Sequence, residues 1–188
     1  VLKKNAEAYG NGQIHTFPYG VSDKESEAYF TYFPNTPALS TLHPEQWDYD
    51  PDAFSRAVKG TMKNPPVGMK WMKLIPPFCS GLIAYFLVRG KKEVECKLRP
   101  LSHVIETENI EQIDLLKIDC EGAEWSVLQG IGDNDWPKIK SIVIEVHDID
   151  NRLDNVKKLL LEKGFSDLHT ESEIGLENTG MYNIFALR

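Results

Sequence analysis

Apolar residues along the chain change their spacing several times, and each change marks an element. Leu2, Ala6 and Tyr9 recur at helical spacing until Gly10 and Gly12 interrupt them, which predicts a short N-terminal helix. Residues 14–21 read as a strand that leaves through a turn at Ser22-Asp23-Lys24. Residues 27–33 alternate as a strand with one buried face, ended by Pro34-Asn35-Thr36-Pro37. Helical spacing returns within 43–63 through Phe54, Val58 and Met62, and stops before Pro65-Pro66. From 67 to 80 no clean period survives, because Lys70, Lys73 and two prolines break up Met69, Trp71, Met72, Leu74, Ile75 and Phe78. That stretch reads first as a loop packed on the core and second as a lid over a pocket; contact with a carrier or a membrane surface ranks last. Residues 82–88 and 93–99, joined by Arg89-Gly90-Lys91-Lys92, are expected to pair as a β-hairpin. A short helix over 101–107 follows Pro100.

The second half has the stronger signal. Residues 113–118 are almost wholly apolar, as in a strand buried on both faces. A helix is expected over 121–131, with Ala123, Val127 and Leu128 turned inward and Gly130 and Gly132 near its end. Residues 139–146 form another apolar strand. Leu153, Val156, Leu159 and Leu160 make 151–163 an amphipathic helix that Gly164 stops. Residues 165–170 and 181–187 then pair antiparallel. This β-α-β-α-β-β order predicts an α/β fold: a mainly parallel, doubly wound sheet with helices on both faces. With 188 residues and no internal repeat, one domain with a sizeable core is expected.

Composition narrows the partners. A net charge of −7 argues against nucleic acid, since phosphate binding needs clustered Lys and Arg. Arg89, Lys91 and Lys92 read as a solvated turn. Cys79, Cys96 and Cys120 stand far apart with no CxxC spacing, which favours a reducing, cytoplasmic setting without a zinc site. The longest apolar run, 82–88, is far below the ~20 residues of a membrane span.

In an open α/β sheet, ligands bind outside the carboxyl ends of the strands. That rule selects Ser22-Asp23, Asp119-Cys120-Glu121 and Glu145-Val146-His147-Asp148. Acids gathered on one edge repel, so a cation or a hydrogen-bonding ligand is expected among them. Blander roles compete with this one. Asp119 or Glu121, with Glu124 three residues on, could cap the following helix. Asp23 could only shape a turn, and His147 could be a plain hydrogen-bonded histidine.

Lys117-Ile118-Asp119-Cys120-Glu121-Gly122-Ala123-Glu124, continuing as Trp125-Ser126-Val127-Leu128-Gln129-Gly130-Ile131, resembles the hallmark of the FkbM-type methyltransferase family. Weaker likeness runs on through Ile142-Val143-Ile144-Glu145-Val146-His147-Asp148 and the closing Tyr182-Asn183-Ile184-Phe185-Ala186-Leu187-Arg188. Upstream it touches 2–10, 19–26 and 37–42, and the stretch 43–92 stands out as an unmatched insertion or lid. The resemblance implies a Rossmann-like class I methyltransferase fold with an antiparallel last strand. It implies transfer of a methyl group from S-adenosylmethionine to a hydroxyl of a small molecule such as a sugar or polyketide. Ser22, Asp23, Asp119 and Cys120 are then the expected cofactor contacts, and Asp119, Glu121 and His147 the expected catalytic residues. A divalent cation is not favoured; if used, it would sit on Asp119, Glu145 and His147. The family's Gly-rich loop and following ribose-binding acid do not occur in this sequence, so the domain is expected to be incomplete at its N-terminal side. The rival expectations are a methyltransferase-like binding module without turnover and an unrelated α/β domain.

Overall fold

The computed structural model describes residues 2–44, 51–65, 68–172 and 180–188. In chain order the elements are α1 (Leu2–Tyr9), β1 (Gly20–Val21), β2 (Ser26–Tyr32), α2 (Pro51–Lys63), α3 (Ser80–Val88), β3 (Lys92–Arg99), α4 (Leu101–Thr107), β4 (Leu116–Ile118), α5 (Glu124–Gln129), β5 (Ser141–His147), α6 (Arg152–Glu162), β6 (Asp167–Glu171) and β7 (Met181–Leu187). Two 3-10 turns, Lys70–Leu74 and Pro77–Cys79, connect α2 to α3. No helix among the described residues is long and apolar enough to cross a membrane.

The strands form two sheets, ordered β1-β3-β2 and β4-β5-β7-β6. The expectation of one mainly parallel sheet is corrected here. Only the short β1–β3 and β4–β5 ladders are parallel, while β2–β3, β5–β7 and β6–β7 run antiparallel over longer registers. Apolar runs do not show which neighbour each strand finds, and here β3 lies between β1 and β2 while β5 lies between β4 and β7.

Three element readings also change. Residues 82–88 belong to helix α3 and not to a hairpin arm. A seven-residue apolar run fits a strand or a buried helix equally, and a partner decides between them. Ile83, Ala84 and Leu87 pack against Val58 and Met62 of α2, so the run coils. The strand expected over 14–21 shrinks to Gly20–Val21, whose backbone pairs with Leu98 and Arg99. The helix expected from 121 starts only at Glu124, because Glu121 and Gly122 take left-handed φ values of 48° and 103°. The part of the helical reading at 45–50 lies outside the described residues, as do residues 66–67 and the side chain of Phe54.

The main core lies around the four-stranded sheet. Ile142, Ile144 and Val146 of β5 meet Ile118 of β4, Val127 and Leu128 of α5, Val156 and Leu160 of α6, and Ile184 of β7. All of these are nearly or fully buried, each such side chain contributing roughly 1.5–3 kcal/mol. Trp136 meets Phe165 edge-on at 6.4 Å, and the Arg188 guanidinium covers the other ring at 4.7 Å from Phe165. Arg188 also donates to the Ile139 and Trp136 carbonyls, closing the chain end onto the core.

One close approach joins the two sheets. Gly130 ends α5 against the exit of β1, where a Cβ would stand 2.0 Å from the Ser22 carbonyl oxygen. Its own carbonyl accepts from Ser102 N–H at the start of α4. A methyl group cannot fit there without moving backbone. Gly130→Ala is expected to lower unfolding free energy by about 2–4 kcal/mol, measured by urea denaturation. An unchanged midpoint would show that β1 and α5 are not packed this way.

Candidate active site

Buried Ile118 ends β4, and the chain leaves the sheet through Asp119-Cys120-Glu121-Gly122. Glu121 has a left-handed backbone, a conformation costing about 1–3 kcal/mol for a non-glycine residue unless neighbours hold it. Gly122 follows in a region that favours glycine. Three side chains hold the turn. Thr41 Oγ1 donates to the Glu121 carbonyl at 2.6 Å, and Arg152 donates to the Gly122 carbonyl at 3.0 Å. Gly122 N–H donates to Glu124 Oε1 at 2.7 Å. Neither Asp119 nor Glu121 caps α5; its N-cap is Ala123, without a side-chain bond.

The turn presents its carboxylates differently. Asp119 is partly exposed and takes Lys117 Nζ at 2.5 Å from Oδ2; this contact raises the Lys117 pKa. Glu121 points inward. Its Oε2 is buried without a hydrogen bond among the described residues and lies 3.8 Å from His147 Nε2. Glu145 Oε1 lies 3.6 Å from the same nitrogen. Glu124 is fully buried beneath them, its Oε2 4.0 Å from Arg152. Burial pushes the Glu121 carboxyl up to about 7, with His147 opposing and the charges of Glu145, Asp119 and Glu124 adding to the rise. For His147 burial works downward, but the contact with Glu145 and the charges of Glu124 and Glu121 outweigh it, and its pKa is raised. Glu121 and His147 are in contact, so the protonation of each depends on that of the other. Cys120 is different: burial lifts its thiol to about 11, so it stays neutral and unreactive at physiological pH.

A cavity of about 560 Å³ opens beside this turn. Asp119, Cys120, Glu121 and Ala123 form one side, facing Gly20 and Val21 of β1, Leu98 and Cys96 of β3, and Ala38, Ser40 and Leu42 from the loop after β2. Such a volume suits a nucleoside-sized ligand. Asp119, Cys120 and Glu121 are thus brought together as expected. Ser22 and Asp23 sit just beyond the lining; Ser22 is buried, with its hydroxyl on Asp23 Oδ1. Glu145 and His147 stand behind the cavity wall, joined to it through Glu121. The alternative metal set of Asp119, Glu145 and His147 does not assemble. Among the described residues no three His, Cys, Asp or Glu side chains are arranged to hold a metal ion, and Asp119 turns to Lys117.

Sequence reading missed Thr41 and Arg152. Arg152 did carry a signal: it opens α6, where a cation opposes the helix dipole and so calls for another reason to be there. Thr41 carried none, because only folding brings it 80 positions along the chain to Glu121.

The sequence model of the methyltransferase FkbM domain matches residues 72–166, which include the whole turn. The chain belongs to the FkbM methyltransferase family. Within the family it is 33% identical over 146 residues to a 31-O-demethyl-FK506 methyltransferase FkbM of Streptomyces tacrolimicus, covering 78% of this chain and 51% of that protein. It is 32% identical over 183 residues to the AMB antimetabolite synthetase AmbE of Pseudomonas aeruginosa, 94% of this chain but 8% of that one. A Methyltransferase 1 of Beauveria bassiana is 25% identical over 188 residues, all of this chain and 66% of the relative. The FkbM-family chain therefore spans from a small fraction to about two thirds of these relatives' lengths. No solved structure matches it.

The titration of Glu121 and His147 predicts how stability changes with pH. Glu121 ionises near 4.5 when unfolded and near 7 when folded, so the native state holds its proton more tightly. Stability from this group is complete below pH 4.5 and declines as pH rises towards 7. His147 acts with the same sign: its contribution is present below its ordinary 6.5 and lost as pH rises through the raised folded value. Unfolding free energy is expected to fall by about 1–3 kcal/mol between roughly pH 5 and 8. Glu121→Gln should remove most of that slope, followed by urea titration at each pH. A slope that survives in Glu121→Gln would place the titrating group elsewhere.

Proposed function

We propose that this chain serves an O-methyltransferase that moves a methyl group from S-adenosylmethionine to a hydroxyl of a small molecule, with a sugar or polyketide as the expected acceptor class. The observation that carries the reading is Glu121. Its side chain borders the cavity, its inner oxygen Oε2 lies buried against His147, and its pKa is raised to about 7, as a base for a hydroxyl proton requires. The relative whose name specifies a 31-O-demethyl substrate supports oxygen as the acceptor atom.

The cavity suits a cationic nucleoside. Val21, Phe30 and Leu98 give it an apolar wall, and the carboxylates of Asp119 and Glu121 favour positive charge. S-adenosylmethionine, when bound, supplies a methyl group on a sulfonium cation. Asp119 holds the cationic portion, Ser22 and Asp23 contact the nucleoside from the exit of β1, and Cys120 contributes neutral wall. The Glu121 carboxylate, at the cavity border, accepts the acceptor's hydroxyl proton, and its inner Oε2 shares the gained proton with His147. The three free cysteines fit the reducing, cytoplasmic setting expected of such a protein.

Calorimetry with S-adenosylhomocysteine tests the binding half of this proposal. Heat is expected with the parent chain, and its loss in Asp119→Ala; no heat with the parent would favour a binding module of another kind. For the chemical half, turnover in the full-length protein should rise with pH to a plateau above about 7. Glu121→Gln should cut kcat roughly 10²–10⁴-fold and abolish that rise. Unchanged kcat would remove Glu121 from the role of base.

A further inference from the structure

Residues 53–92 contain eight Lys or Arg and not one Asp or Glu, whereas the remaining chain has thirteen against twenty-eight. An acidic protein thus carries one wholly basic segment, built from most of α2, the two 3-10 turns and α3. On its inner side Ile83, Ala84 and Leu87 pack with Val58 and Met62. Phe78, Leu82, Tyr85 and Phe86 recur at i, i+4, i+7 and i+8, a single helical stripe, and all four are exposed. Phe78 is 84% exposed and Leu74, on the adjoining turn, 86%. Next to these two, Lys59, Lys63 and Lys73 line a recess of about 380 Å³ completed by Met62, Ile75 and Pro77. None of the three lysines pairs with a carboxylate among the described residues.

Protruding apolar side chains and cations of one sign are the two components of interfacial lipid binding, apolar groups below the headgroups and lysines at the phosphates. A protein-binding patch instead has an apolar centre with charge depleted from it and a polar rim. We propose that this face docks reversibly on an anionic phospholipid bilayer. Leu74, Phe78, Leu82 and Phe86 enter the acyl boundary, while Lys59, Lys63 and Lys73 hold lipid phosphates. The attachment is peripheral, since no described helix is long and apolar enough to span. It also reaches the cavity. Asn35 Nδ2 donates to the Phe86 and Arg89 carbonyls at 2.9 and 3.2 Å, and the same loop continues to Ala38, Ser40 and Leu42 of the cavity lining.

The test is co-sedimentation of the full chain with phosphatidylcholine vesicles, with and without ~30% phosphatidylglycerol, at roughly 0.15 M salt. Anionic vesicles are expected to bind at least about tenfold more tightly. Lys59→Gln/Lys63→Gln/Lys73→Gln should weaken that binding about a hundredfold, and Phe78→Ser/Leu82→Ser should weaken it on a separate basis. Because the replaced side chains are exposed, both variants should keep the parent thermal transition. They should also keep its heat with S-adenosylhomocysteine, so failure here is distinct from failure of the methyl-transfer proposal. Equal binding to both vesicle types, or no binding, overturns the inference. A dimer in sedimentation equilibrium that Phe78→Ser/Leu82→Ser dissolves would assign the face to a second copy and overturn it as well.

Discussion

The left-handed turn at Glu121 and Gly122 organises the rest of the site. A glutamate backbone does not stay at φ 48° unaided, so the turn exists only while other elements hold its carbonyls and N–H groups. Thr41 reaches it from the loop after β2, Arg152 from the start of α6, and Glu124 from the first turn of α5. Both sheets and two helices are thereby tied to four residues. The geometry also turns the Glu121 side chain back toward β5, away from water, where His147 and Glu145 stand. Local backbone strain, burial of an acid and a near-neutral pKa are thus one arrangement seen at three levels.

Burying that acid is costly, and the surroundings offset only part of the cost. Glu124, wholly buried below, is held by Gly122 N–H on one oxygen and faces Arg152 with the other. His147 gains positive character from the carboxylates around it, and Glu121 keeps a proton more readily than an exposed glutamate would. The residual tension resembles that of acid–base sites in general, where environments set pKa values apart from their ordinary range. Asp119, by contrast, is exposed and paired with Lys117.

Charge is segregated on a larger scale too. Carboxylates gather where β4 and β5 end, while residues 53–92, most of α2 and all of α3 among them, carry eight Lys or Arg and no Asp or Glu. Its small inner core, centred on Val58, Met62 and Ala84, is separate from the core around the four-stranded sheet. The two surfaces meet through Asn35, whose side chain holds the end of α3 while its loop lines the cavity.

Much of this was legible in the sequence. The apolar strand β5, the amphipathic α6 and the closing strand pair were visible because a strand buried in a sheet is apolar over a short run and a half-buried helix repeats its apolar residues every three to four positions. The Lys117–Gly130 motif identified the family, and of the residues the strand-end rule selected, the structure brings Asp119, Cys120 and Glu121 to the cavity and sets Glu145 and His147 behind Glu121. Other features had no local signature. The run at 82–88 fits a strand or a helix until α2 lies beside it, and strand neighbours depend on packing between distant segments. The motif placed Glu121 at the ligand edge, but the sequence could not say that it turns from helix cap to buried acid. That was decided by Thr41 and Arg152, contacts made across the fold, because backbone strain and desolvation are set by what surrounds a residue and not by its neighbours in the chain.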